Sequence, residues 1–205
     1  MSGLRLAVLA SGTGTNLQAI LDSVHGREGI ELVAVAGDDL EAPALERARA
    51  AGVDVGVFEE GAHADRAARD AAMADWLAER DVGLVVLAGY MRLLSEAFLS
   101  RFPDRVINVH PALLPAFRGL DAIQQALDYG VKVFGVTVHF VDQGVDSGPV
   151  ILQRAIELPD ATDAEAVHEL LRPLEHELLP EAIRLIARGA VSFDAANPRR
   201  VVISD

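Results

Sequence analysis

The sequence predicts an α/β protein: a Rossmann-like, doubly wound, mostly parallel sheet with an antiparallel strand pair in its C-terminal half. Three observations carry this expectation. Short apolar runs alternate with segments of helical period through the first half, the pattern that a parallel sheet covered on both faces produces. The first of those runs passes directly into a glycine-rich turn that opens a helix. In the second half two strand-like runs follow one another across a short Asp/Gly loop, and so brief a connection requires antiparallel pairing if the strands pair.

Each element has its own warrant. Leu4–Ala10 is short, apolar and bounded by glycine, as a buried parallel strand is. Residues 16–24 then set Leu17, Ile20, Leu21 and Val24 at helical spacing. Leu32–Gly37 is a second strand, and Pro43–Ala51 a helix with proline in its first turn and Gly52 beyond its end. Asp54–Phe58 is a third strand. Ala64–Arg80 is an alanine-rich helix with Ala68, Ala71, Ala72, Trp76 and Leu77 on one side. Leu84–Ala88 is a strand as apolar as the first. Val106–His110 is a strand and Ala122–Tyr129 a helix, followed by the strands Val133–Val141 and Val150–Glu157. Residues 164–188 have helical period but contain Pro173 and Pro180, which predicts a broken or kinked helix. The tail after Gly189 is expected to add one strand or an arm.

No repeat, low-complexity stretch or Pro/Gly/Ser-rich linker divides the 205 residues, so a single domain is expected. With 51% hydrophobic and 24% charged residues the chain can bury a full core, which excludes disorder as its dominant state. A formal charge of −13 argues against a surface built to grip nucleic acid or an anionic membrane. The absence of cysteine excludes thiol nucleophiles, thiolate metal sites and disulfides. Lys132 is the only lysine, beside seventeen arginines, so no P-loop can be written and a Schiff base would rest on Lys132 alone. There is no signal-peptide core, and no apolar run approaches the roughly 18 residues of a membrane span. A soluble, cytoplasmic protein is expected.

Ser11-Gly12-Thr13-Gly14-Thr15-Asn16 joins the first strand to the first helix. Backbone N–H groups at such a turn, with a helix N-terminus behind them, suit an anionic group such as phosphate, and Thr15 and Asn16 add side-chain donors. The turn alone equally fits a tight strand-to-helix connection capped by Thr15 or Asn16. A dinucleotide site is the rival ligand reading. Asp38 and Asp39 stand where a ribose-binding carboxylate is expected, but Leu17 replaces the third glycine of GxGxxG.

Val106-Ile107-Asn108-Val109-His110-Pro111 is the most informative segment. Strand alternation sends Asn108 and His110 to one side. Pro111 ends the strand and leaves both at its carboxyl edge, where open α/β sheets bind ligands. A lone histidine there would read as a core residue; two polar groups together point to function. An amide and an imidazole so placed suit acyl or formyl transfer, because both can donate to the oxyanion of a tetrahedral intermediate and the imidazole can pass a proton. Asp146, between Val145 and a Ser-Gly-Pro turn, could hold His110 as a cation, although spacing alone does not decide it. Asp142 reads as a turn former and His139 as a core or supporting residue. The six histidines show no HxH or HExxH pairing, and no catalytic metal is expected.

At this point a family resemblance enters. SGTGTNLQAIL, LAGYMRLLS, INVHPALLPAFRGLDAIQQAL, GVTVHFVDQGVDSGPVILQ and LEHELLP run in order from Leu6 to Pro180. Together they resemble the folate-dependent phosphoribosylglycinamide formyltransferases. The resemblance implies the formyltransferase fold and transfer of formyl from 10-formyltetrahydrofolate, the co-substrate, to glycinamide ribonucleotide. It implies that Asn108, His110 and Asp146 are catalytic, and that Gly14, Thr15, Asn16 and Glu175 bind the ribonucleotide. It implies that Met91, Arg92, Leu93 and Leu94 line the pterin pocket, that Arg66 meets the glutamyl tail, and that the loop from Val141 through Val145 to Asp146 contacts the pterin. Residues 1–100 would be the phosphate-binding half and 101–205 the folate-binding and catalytic half.

Two positions depart from the family pattern. Arg118 stands where proline is usual, as in methionyl-tRNA formyltransferases, and Arg172 where glutamine is common. A tRNA enzyme is expected to carry a further basic C-terminal domain, and a formyltetrahydrofolate deformylase a further N-terminal one. The expected partners are small molecules, with neither nucleic acid nor membrane, and the expected state is a monomer or homodimer. A formyltetrahydrofolate deformylase or another folate-dependent formyltransferase is the alternative, with an NAD-dependent dehydrogenase more distant.

Overall fold

The structure is a computed structural model that describes residues 3–204. Two compact units divide the chain, Met1–Asn108 and Val109–Asp205.

Met1–Asn108 is the doubly wound part. Its strands are β1 (Leu4–Leu9), β2 (Ile30–Gly37), β3 (Asp54–Val57), β4 (Leu84–Leu87) and β5 (Val106–His110), the last of which runs across the unit boundary. They lie in the order β3-β2-β1-β4-β5, and every neighbouring pair is parallel. Leu6, Val8 and Leu9 are fully buried, as are Ala7 and Ala10 between and after them. A strand buried on both faces has no use for alternation, which is why β1 and β4 read as continuous apolar runs. The chain winds outward from β1 to β3 on one side and returns through β4 and β5 on the other. The switch point therefore falls between the carboxyl ends of β1 and β4.

The helices here are α1 (Thr15–Ser23), α2 (Pro43–Ala50), α3 (Arg66–Ala78) and α4 (Glu96–Arg101), with a 3-10 turn at Glu60–Ala62. α3 starts two residues later than expected because Asp65 caps it, its carboxylate accepting from the Ala68 N–H at 2.8 Å. α4 was not expected: six residues are too few to display a period. Its start is nonetheless encoded, since Ser95 caps it by accepting from the Phe98 N–H.

Val109–Asp205 holds α5 (Ala122–Tyr129), β6 (Val133–Phe140), β7 (Val150–Glu157), α6 (Ala164–Ala187), β8 (Val191–Asp194) and β9 (Asn197–Ile203). β6 and β7 pair antiparallel, as the short loop required. The tail forms a hairpin of two strands, β8 and β9, where one strand or an arm was expected, and β9 pairs parallel to β7. α6 is not broken, since it runs through Pro173 and Pro180 for 24 residues. Each proline removes the N–H that would serve the carbonyl four residues earlier, at Glu169 and His176. Burial of Val167, Leu171, Leu178, Leu179 and Ile183 holds the helix together across those gaps. Among the described residues no helix is long and apolar enough to cross a membrane.

Phe98 is fully buried, with its ring 5.2 Å from that of Phe102. Phe98→Ala is expected to cost about 3–5 kcal/mol, read as a lowered urea midpoint at unchanged m-value; a shift within error would show that α4 contributes nothing to the core.

Candidate active site

The chemistry-bearing cluster lies within Val109–Asp205 and is centred on Asp146. His110, the last residue of β5, is 5% exposed. Its Nε2 lies 2.8 Å from the Phe117 carbonyl oxygen and its Nδ1 3.3 Å from Asp146 Oδ2. A carbonyl only accepts, so Nε2 carries a hydrogen. Asp146 is held on the other side by the Gly119 N–H, which donates to Oδ2 at 2.8 Å. His139 Nε2 stands 3.6 Å from Oδ1, beyond hydrogen-bond length but within strong electrostatic reach.

These contacts set the ionisation of Asp146. Burial opposes ionisation of Asp146, but His139, the Gly119 amide and the positive field of His110 outweigh it and hold the carboxyl below its ordinary value. An ionised carboxylate facing Nδ1 is attractive only if that nitrogen also bears a proton. His110 thus presents its Nε2–H to the Phe117 carbonyl and its Nδ1 to the Asp146 carboxylate.

Local structure aims Asp146. Its φ of 45° is left-handed, an uncommon conformation for a side-chain-bearing residue that costs about 1–3 kcal/mol. The preceding turn is tied by Asp142, whose Oδ1 accepts from the Gly144 N–H at 3.0 Å and from the Ser147 hydroxyl. Asp142 is thus the turn former that its neighbours suggested.

The second candidate feature lies within Met1–Asn108, at the switch point. Gly14 caps α1 with a φ of 73°, and a Cβ there would lie 2.8 Å from the Ala44 backbone, so the position requires glycine twice over. The cap was expected from Thr15 or Asn16; no side chain caps α1, and its first turn contains no acidic residue. Arg47 of α2 braces the turn, donating from Nε to the Thr13 carbonyl at 2.8 Å. The segment after β4 meets the same turn, because the Ser11 N–H donates to Gly89 and the Met91 N–H to the Ser11 hydroxyl, both at 3.1 Å.

The chain matches a family model described as formyl transferase over residues 4–183. It is 45% identical over 202 residues to a phosphoribosylglycinamide formyltransferase of Mycobacterium tuberculosis, covering 97% of this chain and 94% of that protein. The crystal structure of glycinamide ribonucleotide transformylase 1 from Symbiobacterium toebii is 48% identical with a TM-score of 0.94, covering 100% of this chain and 95% of that one. The chain belongs to the phosphoribosylglycinamide formyltransferase family. It is accordingly a formyltransferase. It also matches the Bos taurus "Trifunctional purine biosynthetic protein adenosine-3" at 40% identity over 188 residues, spanning 91% of this chain but only 19% of that longer protein.

Of the residues expected at a formyltransferase site, His110 and Asp146 are brought together, and half-buried Asn108 precedes His110 by two residues on β5. Gly14, Thr15 and Asn16 stand at the start of α1. Met91 and Leu93 are exposed, with Arg92 between them and half-buried Leu94 after. Arg66 is exposed at the first position of α3. Val141 and Val145 flank the Asp142 turn, and Val145 is exposed. Glu175 is buried on α6 with Oε1 3.7 Å from His168 Nε2, and it raises the pKa of that histidine. Arg172, the departure on the same helix, pairs with Glu169 at 2.8 Å.

Two charged residues near the glycine-rich turn are engaged with one another. Arg92 is not an open cation, since its guanidinium meets Asp38 at 2.7 Å and Glu60 at 3.0 Å. Asp38 is correspondingly committed. Burial raises its pKa, but the Ser11 hydroxyl and Arg92 pull it below the ordinary value, so it is not presented as a ribose ligand. The sequence reading also missed the Phe117 carbonyl and Gly119 amide, which have no side-chain signature. His139 did carry a signal, because strand alternation sets it on one side of β6 with Thr137.

Asp146 makes stability depend on pH in a defined direction. A depressed carboxyl contributes stability that is fully present above the unfolded value of about 4 and is lost as pH falls through the lower folded value. The stability gap between the wild type and Asp146→Asn, from urea titrations between about pH 5 and 2, is therefore expected to narrow with acid. A constant gap across that window would contradict the assigned contacts.

Proposed function

We propose that the chain transfers the formyl group of 10-formyltetrahydrofolate to the amine of glycinamide ribonucleotide by direct attack, in the cytoplasm. The observation that carries this reading is a histidine whose Nε2 donates to the Phe117 carbonyl and whose Nδ1 faces the Asp146 carboxylate at 3.3 Å, at the end of a strand that also bears Asn108.

In the reaction the amine nitrogen bonds to the formyl carbon and the carbonyl π pair moves to oxygen. The side-chain N–H of Asn108 and the Nε2–H of His110 stabilise that oxyanion. Asp146 keeps His110 cationic and accepts the proton that the amine loses, directly or through water. The C–N10 bond then breaks, the carbonyl re-forms, and N10 of the departing tetrahydrofolate takes up a proton. No covalent enzyme intermediate is required, which suits a chain without cysteine.

The glycine-rich start of α1, with Gly14, Thr15 and Asn16, supplies donors for the ribonucleotide phosphate. Glu175 supplies a carboxylate for its ribose hydroxyls. The apolar side chains of Met91, Leu93 and Leu94 suit a pterin, with Arg92 holding that segment in place and the Val141–Asp146 loop offering backbone groups. Arg66, exposed and unburdened by burial, suits the carboxylates of the glutamyl tail.

Incubation of the protein with 10-formyltetrahydrofolate, with and without glycinamide ribonucleotide, tests the reaction. Tetrahydrofolate should form only with the amine present; formate release without it would indicate a hydrolase instead. Within that assay Asn108→Ala is expected to lower kcat by roughly a hundred- to a thousandfold, the scale of one oxyanion donor. Asp146→Asn should lower it by at least about a hundredfold while ribonucleotide binding, followed by calorimetry, persists. Near-normal turnover in either variant would remove that residue from the mechanism.

A further inference from the structure

The segment from Tyr90 to Ser95 carries two exposed apolar side chains, Met91 at 64% and Leu93 at 57%. Its backbone is nevertheless clamped. The Met91 N–H donates to Ser11 Oγ, Arg92 is held by Asp38 and Glu60, and the Ser95 N–H donates to Asp70 Oδ2 at 2.6 Å. The third clamp differs in kind from the others. Asp70 is fully buried and Arg69 is 2% exposed. Arg69 donates from Nε and Nη2 to Asp70 Oδ1 at 3.0 and 2.7 Å, so one carboxylate oxygen faces the guanidinium and the other the Ser95 amide.

An ion pair removed wholly from water contributes little over an apolar pair of the same volume. Its presence in the α3 core is better explained by what it holds. Ser95 is both the end of the apolar segment and the cap of α4, so the position of its amide sets the direction in which the segment leaves β4 and enters the helix.

We propose that Asp70, with Arg69 as its counter-ion, is a positioning residue that presents Met91–Leu94 to the folate; this rests on the folate-facing reading of that segment given above. Asp70 touches no substrate and acts through the Ser95 amide. Arg69 occupies the other carboxylate oxygen and so keeps Oδ2 turned toward that amide.

Two double variants separate positioning from simple stability. Arg69→Met with Asp70→Leu removes both charges and leaves Ser95 without an acceptor. Arg69→Met with Asp70→Asn also removes both charges but returns a carbonyl oxygen to Ser95. Thermal midpoints, the KM for each substrate, kcat, and the calorimetric Kd for tetrahydrofolate would be measured for both. The leucine double is expected to raise the folate KM and the tetrahydrofolate Kd by about tenfold, the ratio expected for one lost hydrogen bond to a buried amide. Its kcat and ribonucleotide KM should stay within about twofold of wild type, which is below the smallest hydrogen-bond effect. The asparagine double should recover folate affinity. Equal folate affinities in the two doubles overturn the proposal, as does a ribonucleotide KM that rises in step. A wild type that binds tetrahydrofolate but transfers no formyl overturns the proposed reaction while the binding comparison still decides the clamp; a wild type that does not bind tetrahydrofolate overturns both.

Discussion

The carboxylate of Asp146 is the constraint on which the rest of the catalytic cluster depends. It faces His110 from β5 and His139 from β6, and accepts from the Gly119 amide of the loop between them. These groups reach one point only because the Asp142 turn reverses the chain after β6 and because Asp146 itself adopts a left-handed backbone. The strain is local, and the charges are what offset it: an anion stripped of water on most sides is stable here only among cations and N–H donors. Stability and chemistry thus draw on the same contacts, since the groups that keep Asp146 ionised also make it a competent partner for a charged imidazole.

The net charge of −13 takes on a spatial meaning within Met1–Asn108. Arg92 lies beside the glycine-rich turn, yet Asp38 and Glu60 neutralise it, so it serves as a brace rather than as an open cation. Arg47 is likewise turned inward, onto the Thr13 carbonyl and Gln18. The cap position of α1 is Gly14, which has no side chain to cap the helix start, so the proposed phosphate site rests on the backbone of this turn. Backbone donors of this kind recognise phosphate by geometry and carry no mobile side chain that must be ordered on binding.

Periodicity and punctuation made most of the fold legible: the apolar runs of β1 and β4, the proline that opens α2 and the short loop between β6 and β7 each left a physical trace in the sequence. α4 did not, because six residues are too few to display a helical period, and the tail, an apolar and polar mixture, showed at most one strand or an arm where β8 and β9 form a hairpin. The continuity of α6 was not legible, because proline acts locally while the buried face that holds the helix through both prolines is a tertiary effect. At the site, alternation alone placed Asn108 beside His110. Spacing could not pair Asp146 with His110 across thirty-six residues, and nothing in the sequence distinguishes Arg69 and Asp70 from ordinary helix charges; their burial does.

The two contacts of the His110 ring also bear on how the proposed reaction gains its selectivity. Nδ1 faces a charged partner, Asp146, and Nε2–H donates to a neutral one, the Phe117 carbonyl. A formyl oxygen in the bound donor is also a neutral carbonyl, so it has little advantage over Phe117 in the ground state. Once the amine has attacked, that oxygen carries charge, and a charge-assisted bond is roughly twice as strong as a neutral one. Exchange of Nε2–H from Phe117 to the oxyanion is therefore favoured only as charge develops. An interaction stronger in the transition state than in the ground state is the kind that raises kcat rather than merely tightening substrate binding. The Phe117 carbonyl, which no side-chain pattern could have marked, supplies the reference against which that preference is set.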